Sequence, residues 1–129
     1  MCQVECSIME YKAAYKSLNV WQKADELVLE IYNLTKKFPK DETFGLISQM
    51  RRCAISIPAN IVEGYGRRTP KDQAQFYFIA RASLNELEYY IDLSLKLGYI
   101  IQSDHEAVVL LRNDIGRLLN GFTQSVLKH

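Results

Sequence analysis

Residues Thr43 to Pro70 read TFGLISQMRRCAISIPANIVEGYGRRTP, and their periodicity decides how the rest of the chain is read. Ile47, Met50, Ala54, Ile57 and Ile61 recur at spacings of three and four, which sets them on one face of a helix. Gln49, Arg52, Ser56, Asn60 and Glu63 recur at the same spacings on the opposite side, an ordered polar stripe. Pro58 lacks an amide donor and its ring crowds the carbonyl of Ala54, so a helix continuing through it is expected to kink. Gly64-Tyr65-Gly66 ends this helix and hands over to another at Thr69-Pro70.

Towards the N-terminus, Asn19 followed by Gln22 resembles a capping box and opens a helix to about Lys37, stopped by Pro39. Its apolar face is Val20 or Trp21, Ala24, Leu27, Val28, Ile31, Leu34 and Phe38. Towards the C-terminus, Thr69 as N-cap, Pro70 at the first helical position and Asp72 start a third helix, which runs to Leu97 and stops at Gly98. Ser103 with Glu106 suggests a second capping box, for a helix with Val108, Leu111, Ile115, Leu118, Leu119, Phe122 and Val126 on its apolar face. Residues 1–17 lack clean periodicity and read as a leader, frayed or forming a short helical turn; residues 18–129 form the domain. Helices joined by connections of about six residues run antiparallel to their neighbours. The expected fold is therefore all-α, an antiparallel up-down-up-down four-helix bundle with its second helix kinked at Pro58.

A chain of 129 residues with 48% apolar and 24% charged residues suits one globular domain, and a net charge of +1 gives no global attraction to nucleic acid or membrane. The charge is unevenly spread. Between Arg51 and Arg81 six basic residues face two acidic ones, Glu63 and Asp72. The odd set Cys2, Cys6 and Cys53 argues against a disulfide framework, and neither these nor His105 and His129 have metal-ligand spacing. The start MCQVECSIMEYK has no signal-peptide pattern, and no apolar run is long enough to span a bilayer, so a cytoplasmic address is expected. No metal, cofactor or small-molecule substrate is indicated.

The third helix has more apolar surface than a lone bundle hides. Phe76, Ala80, Leu84, Leu87, Ile91 and Leu95 form one stripe, while Tyr77, Phe78, Ile79, Tyr89, Tyr90 and Leu93 spread over the expected solvent side. These six, with Phe76, are the candidate oligomer interface.

Arg67-Arg68-Thr69-Pro70-Lys71 joins a basic loop to a helix N-terminus, where free amides and the dipole favour anions such as phosphate. With Arg51, Arg52 and Arg81, and with Tyr65 to stack on an unpaired base, these cations form a candidate nucleic-acid surface. The alternative is that the arginines pair with Glu63, Asp72, Glu86 and Glu88. Asn60 and Glu63 superficially suggest an orienting amide and a base, yet no nucleophile, histidine or metal set converges on them. Their expected role is structural: Asn60 bonding backbone groups freed by Pro58, and Glu63 pairing with Arg67.

Several short runs together resemble the four-helix-bundle proteins named for the intervening sequences of bacterial 23S rRNA genes, also called S23-like. They are Val20-Trp21 with Ala24 and Leu27, Tyr32, Phe38-Pro39, Glu42, Phe44-Gly45-Leu46, Gln49, Arg51-Arg52 and the run Ser56-Ile57-Pro58-Ala59-Asn60-Ile61-Val62-Glu63-Gly64. Phe76, Ala80, Ser83-Leu84, Glu86-Leu87-Glu88 and Leu97-Gly98-Tyr99 complete the set, over Leu18 to about Leu127. Cys53 and Val62 stand where the family pattern has alanine. The resemblance implies a subunit of a ring-shaped homopentamer, and it does not imply an enzyme. A related branch, the accessory protein of diversity-generating retroelements, is a basic pentamer that partners a reverse transcriptase and contacts nucleic acid; this chain's charge of +1 departs from it. The expected function is a non-catalytic oligomeric scaffold for RNA or a ribonucleoprotein, the alternative a purely structural protein-interaction ring.

Overall fold

A computed structural model describes residues 14–128. Four helices make up most of them: α1 Asn19–Thr35, α2 Leu46–Tyr65, α3 Pro70–Lys96 and α4 Gln102–Leu127. Single 3-10 turns, Tyr15–Ser17 and Lys40–Glu42, precede α1 and α2. Each helix packs on its neighbours in sequence and α1 closes on α4, giving the antiparallel four-helix bundle. Of the leader expected at residues 1–17, residues 1–13 lie outside the described residues. The rest includes the first 3-10 turn, where Tyr15 meets Trp21 edge-on with ring centres 4.9 Å apart.

The predicted faces of α1 and α2 meet in the core. Val20, Ala24, Leu27, Ile31 and Phe38 are buried with Met50, Ala54, Ile57 and Ile61, while Trp21, Val28, Leu34 and Ile47 pack partly buried at the margin. Pro58 is buried inside α2, which is helical from Leu46 to Tyr65, and the chain kinks near Pro70, between α2 and α3. Thr69 caps α3 as expected, its hydroxyl accepting from the Asp72 amide at 3.1 Å. Gly98 ends that helix at φ +78°, a left-handed conformation that costs glycine nothing. There the Tyr99 amide donates to the Ser94 carbonyl and the Gly98 amide to Leu95, a Schellman closure.

Three local expectations are corrected. Leu18, in extended backbone, is the N-cap of α1, and Asn19 is already helical; Gln22 donates instead to the Lys16 carbonyl at 2.8 Å, tying the 3-10 turn to the helix. Ile101 likewise caps α4, and Gln102 rather than Ser103 engages Glu106, at 3.2 Å. In both cases a helix start is set by where the backbone leaves the extended region beside a packed apolar residue, Leu18 or Ile100. The third correction concerns Tyr77. It is only 1% exposed and stacks on Phe122 with ring centres 5.0 Å apart, so it belongs to the core and not to the outer flank of α3.

Gly64 explains that burial. A Cβ there would lie 2.6 Å from Tyr77 Cε1 and 3.0 Å from both the Gln73 carbonyl and Phe76 Cβ. Gly64→Ala is accordingly expected to lose about 1–3 kcal/mol by overpacking. Gly121→Ala, whose Cβ meets nothing within 4 Å, is expected to gain up to about 1 kcal/mol from helix propensity. Urea unfolding of both variants beside the parent checks the opposite signs.

Candidate functional site

The polar stripe of α2 faces α3. Ser83, Glu86 and Tyr90 recur on α3 at spacings of three and four, and Arg52 and Ser56 of the stripe bond directly to Glu86 and Ser83. Glu86 Oε2 accepts from Cys53 Sγ at 2.9 Å, from the Tyr90 hydroxyl at 3.0 Å and from Arg52 Nη2 in a short ion pair. Gln49 Oε1 steadies the same guanidinium, accepting from Nε at 3.1 Å and Nη2 at 2.9 Å. One turn further on, the Ser56 and Ser83 hydroxyls meet at 2.8 Å. Asn60 donates to the Ser56 carbonyl at 2.7 Å and to the Ser56 hydroxyl at 3.0 Å. This corrects the expected partner of Asn60: Pro58 frees the Ala54 carbonyl, but the amide reaches back one turn to Ser56. Glu63 pairs with Arg67 at 2.5 Å, as expected.

Proton affinities follow from this geometry. Burial pushes the Cys53 thiol up to about 12, and its hydrogen bond to the Glu86 carboxylate adds to the effect. Glu86 moves the other way. The hydrogen bond from Cys53, then that from Tyr90, holds its carboxyl below the usual glutamate range. A thiol that stays protonated at neutral pH is a poor nucleophile and a poor metal ligand, so Cys53 acts here as a hydrogen-bond donor. Among the described residues no group of three or more His, Cys, Asp and Glu side chains could hold a metal ion.

The candidate nucleic-acid residues do not form one patch. Arg51 turns to α1, its guanidinium 4.4 Å above the Tyr32 ring and its Nε donating to Thr35 Oγ1 at 3.0 Å. Arg52 is engaged in the α2–α3 seam. Tyr65 is half-buried at the end of α2. Arg67 lies over Phe76 at 4.6 Å while paired with Glu63. Arg68 and Lys71 are exposed, and their side chains make no hydrogen bond or ion pair among the described residues. Arg81 is exposed on the α4 side of its helix, away from the α2–α3 turn. Of the interface candidates, Phe78, Ile79 and Tyr89 are exposed, whereas Phe76, Tyr90 and Leu93 are half-buried and Tyr77 is in the core.

Sequence reasoning missed the Cys53–Glu86–Tyr90 joint, although a signal existed in the equal spacing of polar residues on α2 and α3. It also missed two clamps elsewhere. Glu42 accepts from the Tyr99 hydroxyl at 2.9 Å and from the Leu46 amide at 3.4 Å, which ties the α1–α2 loop to the α3–α4 loop at the start of α2. Arg112 joins α4 to α3 through Asn85 at 2.6 Å and Glu88 at 3.2 Å.

Taken together, these contacts define an all-helical bundle protein whose characteristic polar residues fasten helix to helix. A profile of the 23S rRNA-intervening sequence protein matches residues 16–121, and the chain belongs to that family. Among solved structures, a protein of unknown function from the S23 ribosomal protein family of Bacteroides thetaiotaomicron is 26% identical, with a TM-score of 0.75 over 81% of this chain and 95% of that one. No curated protein matches. Within the described residues no helix is long and apolar enough to cross a membrane.

The seam makes stability depend on pH at both extremes. Above the ordinary thiol value of 9.0 the unfolded chain loses the Cys53 proton while the folded chain keeps it until about 12, so stability falls as pH rises through that window. Glu86, depressed in the fold, contributes stability above the ordinary carboxylate value that is lost as pH falls through its folded value. Urea unfolding across pH should therefore show a shallower alkaline decline in Cys53→Ala and a shallower acid decline in Glu86→Gln than in the parent.

Proposed function

We propose that the protein is a non-catalytic scaffold that assembles with copies of itself and binds RNA, free or in a ribonucleoprotein, through the α2–α3 corner. The observation that carries the reading is the pair Arg68 and Lys71: exposed, without partners among the described residues, and beside the N-terminus of α3, whose dipole favours phosphate. Arg67 stands next to them, held by Glu63 and Phe76. The name of the family, 23S rRNA-intervening sequence protein, makes structured RNA the natural first ligand to try. Several copies of a weak corner, linked in one particle, add to an avid surface.

Self-association rests on the outer face of α3, where Phe78, Ile79 and Tyr89 are 44%, 48% and 61% exposed. The family resemblance makes a homopentamer the expected assembly. Phe78→Glu with Tyr89→Glu is expected to yield monomers in sedimentation velocity, with helical content unchanged; a parent protein that sediments as a monomer at micromolar concentration overturns this part.

A second reading, a protein-interaction ring without nucleic acid, draws on the internal neutralisation of Arg52, Arg67 and Arg112 by Glu86, Glu63 and Glu88. Filter binding of structured RNA across a salt series separates the two, since phosphate contacts predict a steep loss of affinity with salt. Arg68→Glu with Lys71→Glu is expected to weaken retention about tenfold or more at low salt and to flatten the salt dependence, with the assembly intact. Equal retention by variant and parent favours the second reading.

A further inference from the structure

Between α3 and α4, on the side of α3 away from the seam, Arg81, Leu84, Asn85, Arg112, Gly116 and Asn120 line a cleft of about 210 Å³. Its polar groups are mostly donors with capacity to spare. The Arg112 side chain is only 14% exposed and is anchored by Nη2 to Asn85 Oδ1 at 2.6 Å and to Glu88 Oε2 at 3.2 Å, and by Nη1 to Asn113 Oδ1 at 3.2 Å. Its Nε is buried with no hydrogen-bond partner among the described residues. Because Asn85 Oδ1 is occupied by Arg112, the amide nitrogen of Asn85 remains to donate. The Asn120 side chain makes no hydrogen bond among the described residues. Glu88 neutralises Arg112, but Arg81 has no acidic partner among the described residues, so the cleft retains one uncompensated positive charge.

Gly116 keeps the floor open. A Cβ there would stand 3.4 Å from Arg112 Nη1 and 3.6 Å from Leu84 Cδ2, inside the space that the guanidinium borders.

We infer that this cleft is a binding site for a small oxyanion, specifically a phosphate group. Arg81 supplies the unpaired charge, the Arg112 guanidinium, held by Asn85, Glu88 and Asn113, borders the site, and the amides of Asn85 and Asn120 offer further N–H donors. Guanidinium forks match the tetrahedral oxygens of phosphate, and a guanidinium held in place by neighbours loses less freedom when it binds. The volume leaves room beside the anion for an attached group, so a phosphate monoester fits as well as the free ion. Arg81 lies eleven residues along α3 from Pro70, roughly 16 Å at the rise of a helix, so the site is independent of the α2–α3 corner.

The test is a nitrogen-15 NMR titration of the full chain with sodium phosphate, with adenosine 5′-monophosphate and with sodium acetate, each against sodium chloride at matched ionic strength. Phosphate is expected to cause saturable shifts confined to the amides around Arg81, Asn85, Gly116 and Asn120 and to the Arg112 Nε–H resonance, with acetate weaker and chloride silent. A nucleotide response stronger than that of phosphate identifies a monoester ligand; an equal one identifies the free ion. Arg81→Gln, at an exposed position, should leave thermal unfolding unchanged and weaken binding at least tenfold. Gly116→Leu should block the cleft with all charges in place, and Arg68→Glu with Lys71→Glu should bind phosphate as the parent does. Shifts that never saturate, an unchanged response in Arg81→Gln, a response centred on residues 67–71, or acetate binding as tightly as phosphate would overturn the assignment.

Discussion

A single carboxylate oxygen, Glu86 Oε2, receives donors from Cys53, Tyr90 and Arg52, and the register of α2 against α3 depends on it. Sliding one helix by a turn would strand the two donors that cross from α2, Cys53 and Arg52, and, further along, separate the Ser56 and Ser83 hydroxyls; Tyr90, on α3 with Glu86, steadies the acceptor from its own helix. Gly64 imposes the same register sterically, because only there can the Tyr77 ring pass beneath α2. Hydrogen bonds and close packing thus select one alignment. That alignment positions what α3 carries outward, the apolar face at Phe78 and Tyr89 and the cations near its start.

Positive charge is the second organising theme. The middle of the sequence looks like a basic band, but the fold distributes its members among different tasks. Arg51 packs on Tyr32 and braces α1, Arg52 closes the seam, and Arg67 doubles as a cation over Phe76 and a partner of Glu63. Exposed ion pairs of this kind are individually worth little, about 1 kcal/mol or less, so their main effect is to cancel field rather than to hold the bundle together. Of that band, the cations whose side chains have no partner among the described residues are Arg68, Lys71 and Arg81, at two separate places.

Helix number, order and most of the core were legible in the sequence because spacings of three and four, Thr69-Pro70 and Gly98 are local signals that local physics enforces. Helix starts at Asn19 and Ser103 were misread by one or two residues, since a polar residue near a boundary looks like a cap wherever the backbone actually turns. Tyr77 was misplaced for a different reason. Its ring can be buried only because residue 64, on another helix, is glycine, and such a pairing leaves no trace in the periodicity of α3. The joint at Glu86 was hidden similarly: Cys53 stands where the family pattern has alanine, and its role as donor exists only once α3 is opposite. Long-range partners of polar side chains are a property of the assembled bundle, and several polar residues of the family pattern are among them, Gln49, Arg52, Ser56, Ser83 and Glu86 along the seam and Glu42 and Tyr99 on the end clamp.

Trp21 is the chain's one indole, and it sits half-buried on the α1–α2 flank, against Tyr15 and beside a shallow apolar hollow that includes Val28, Pro58 and Val62. Its fluorescence therefore reports on one side of the molecule and not on the core as a whole. Emission and quenching in this protein follow the docking of the Tyr15–Ser17 turn and the environment of that hollow, a built-in optical probe that distinguishes a local loosening of the flank from collapse of the entire structure.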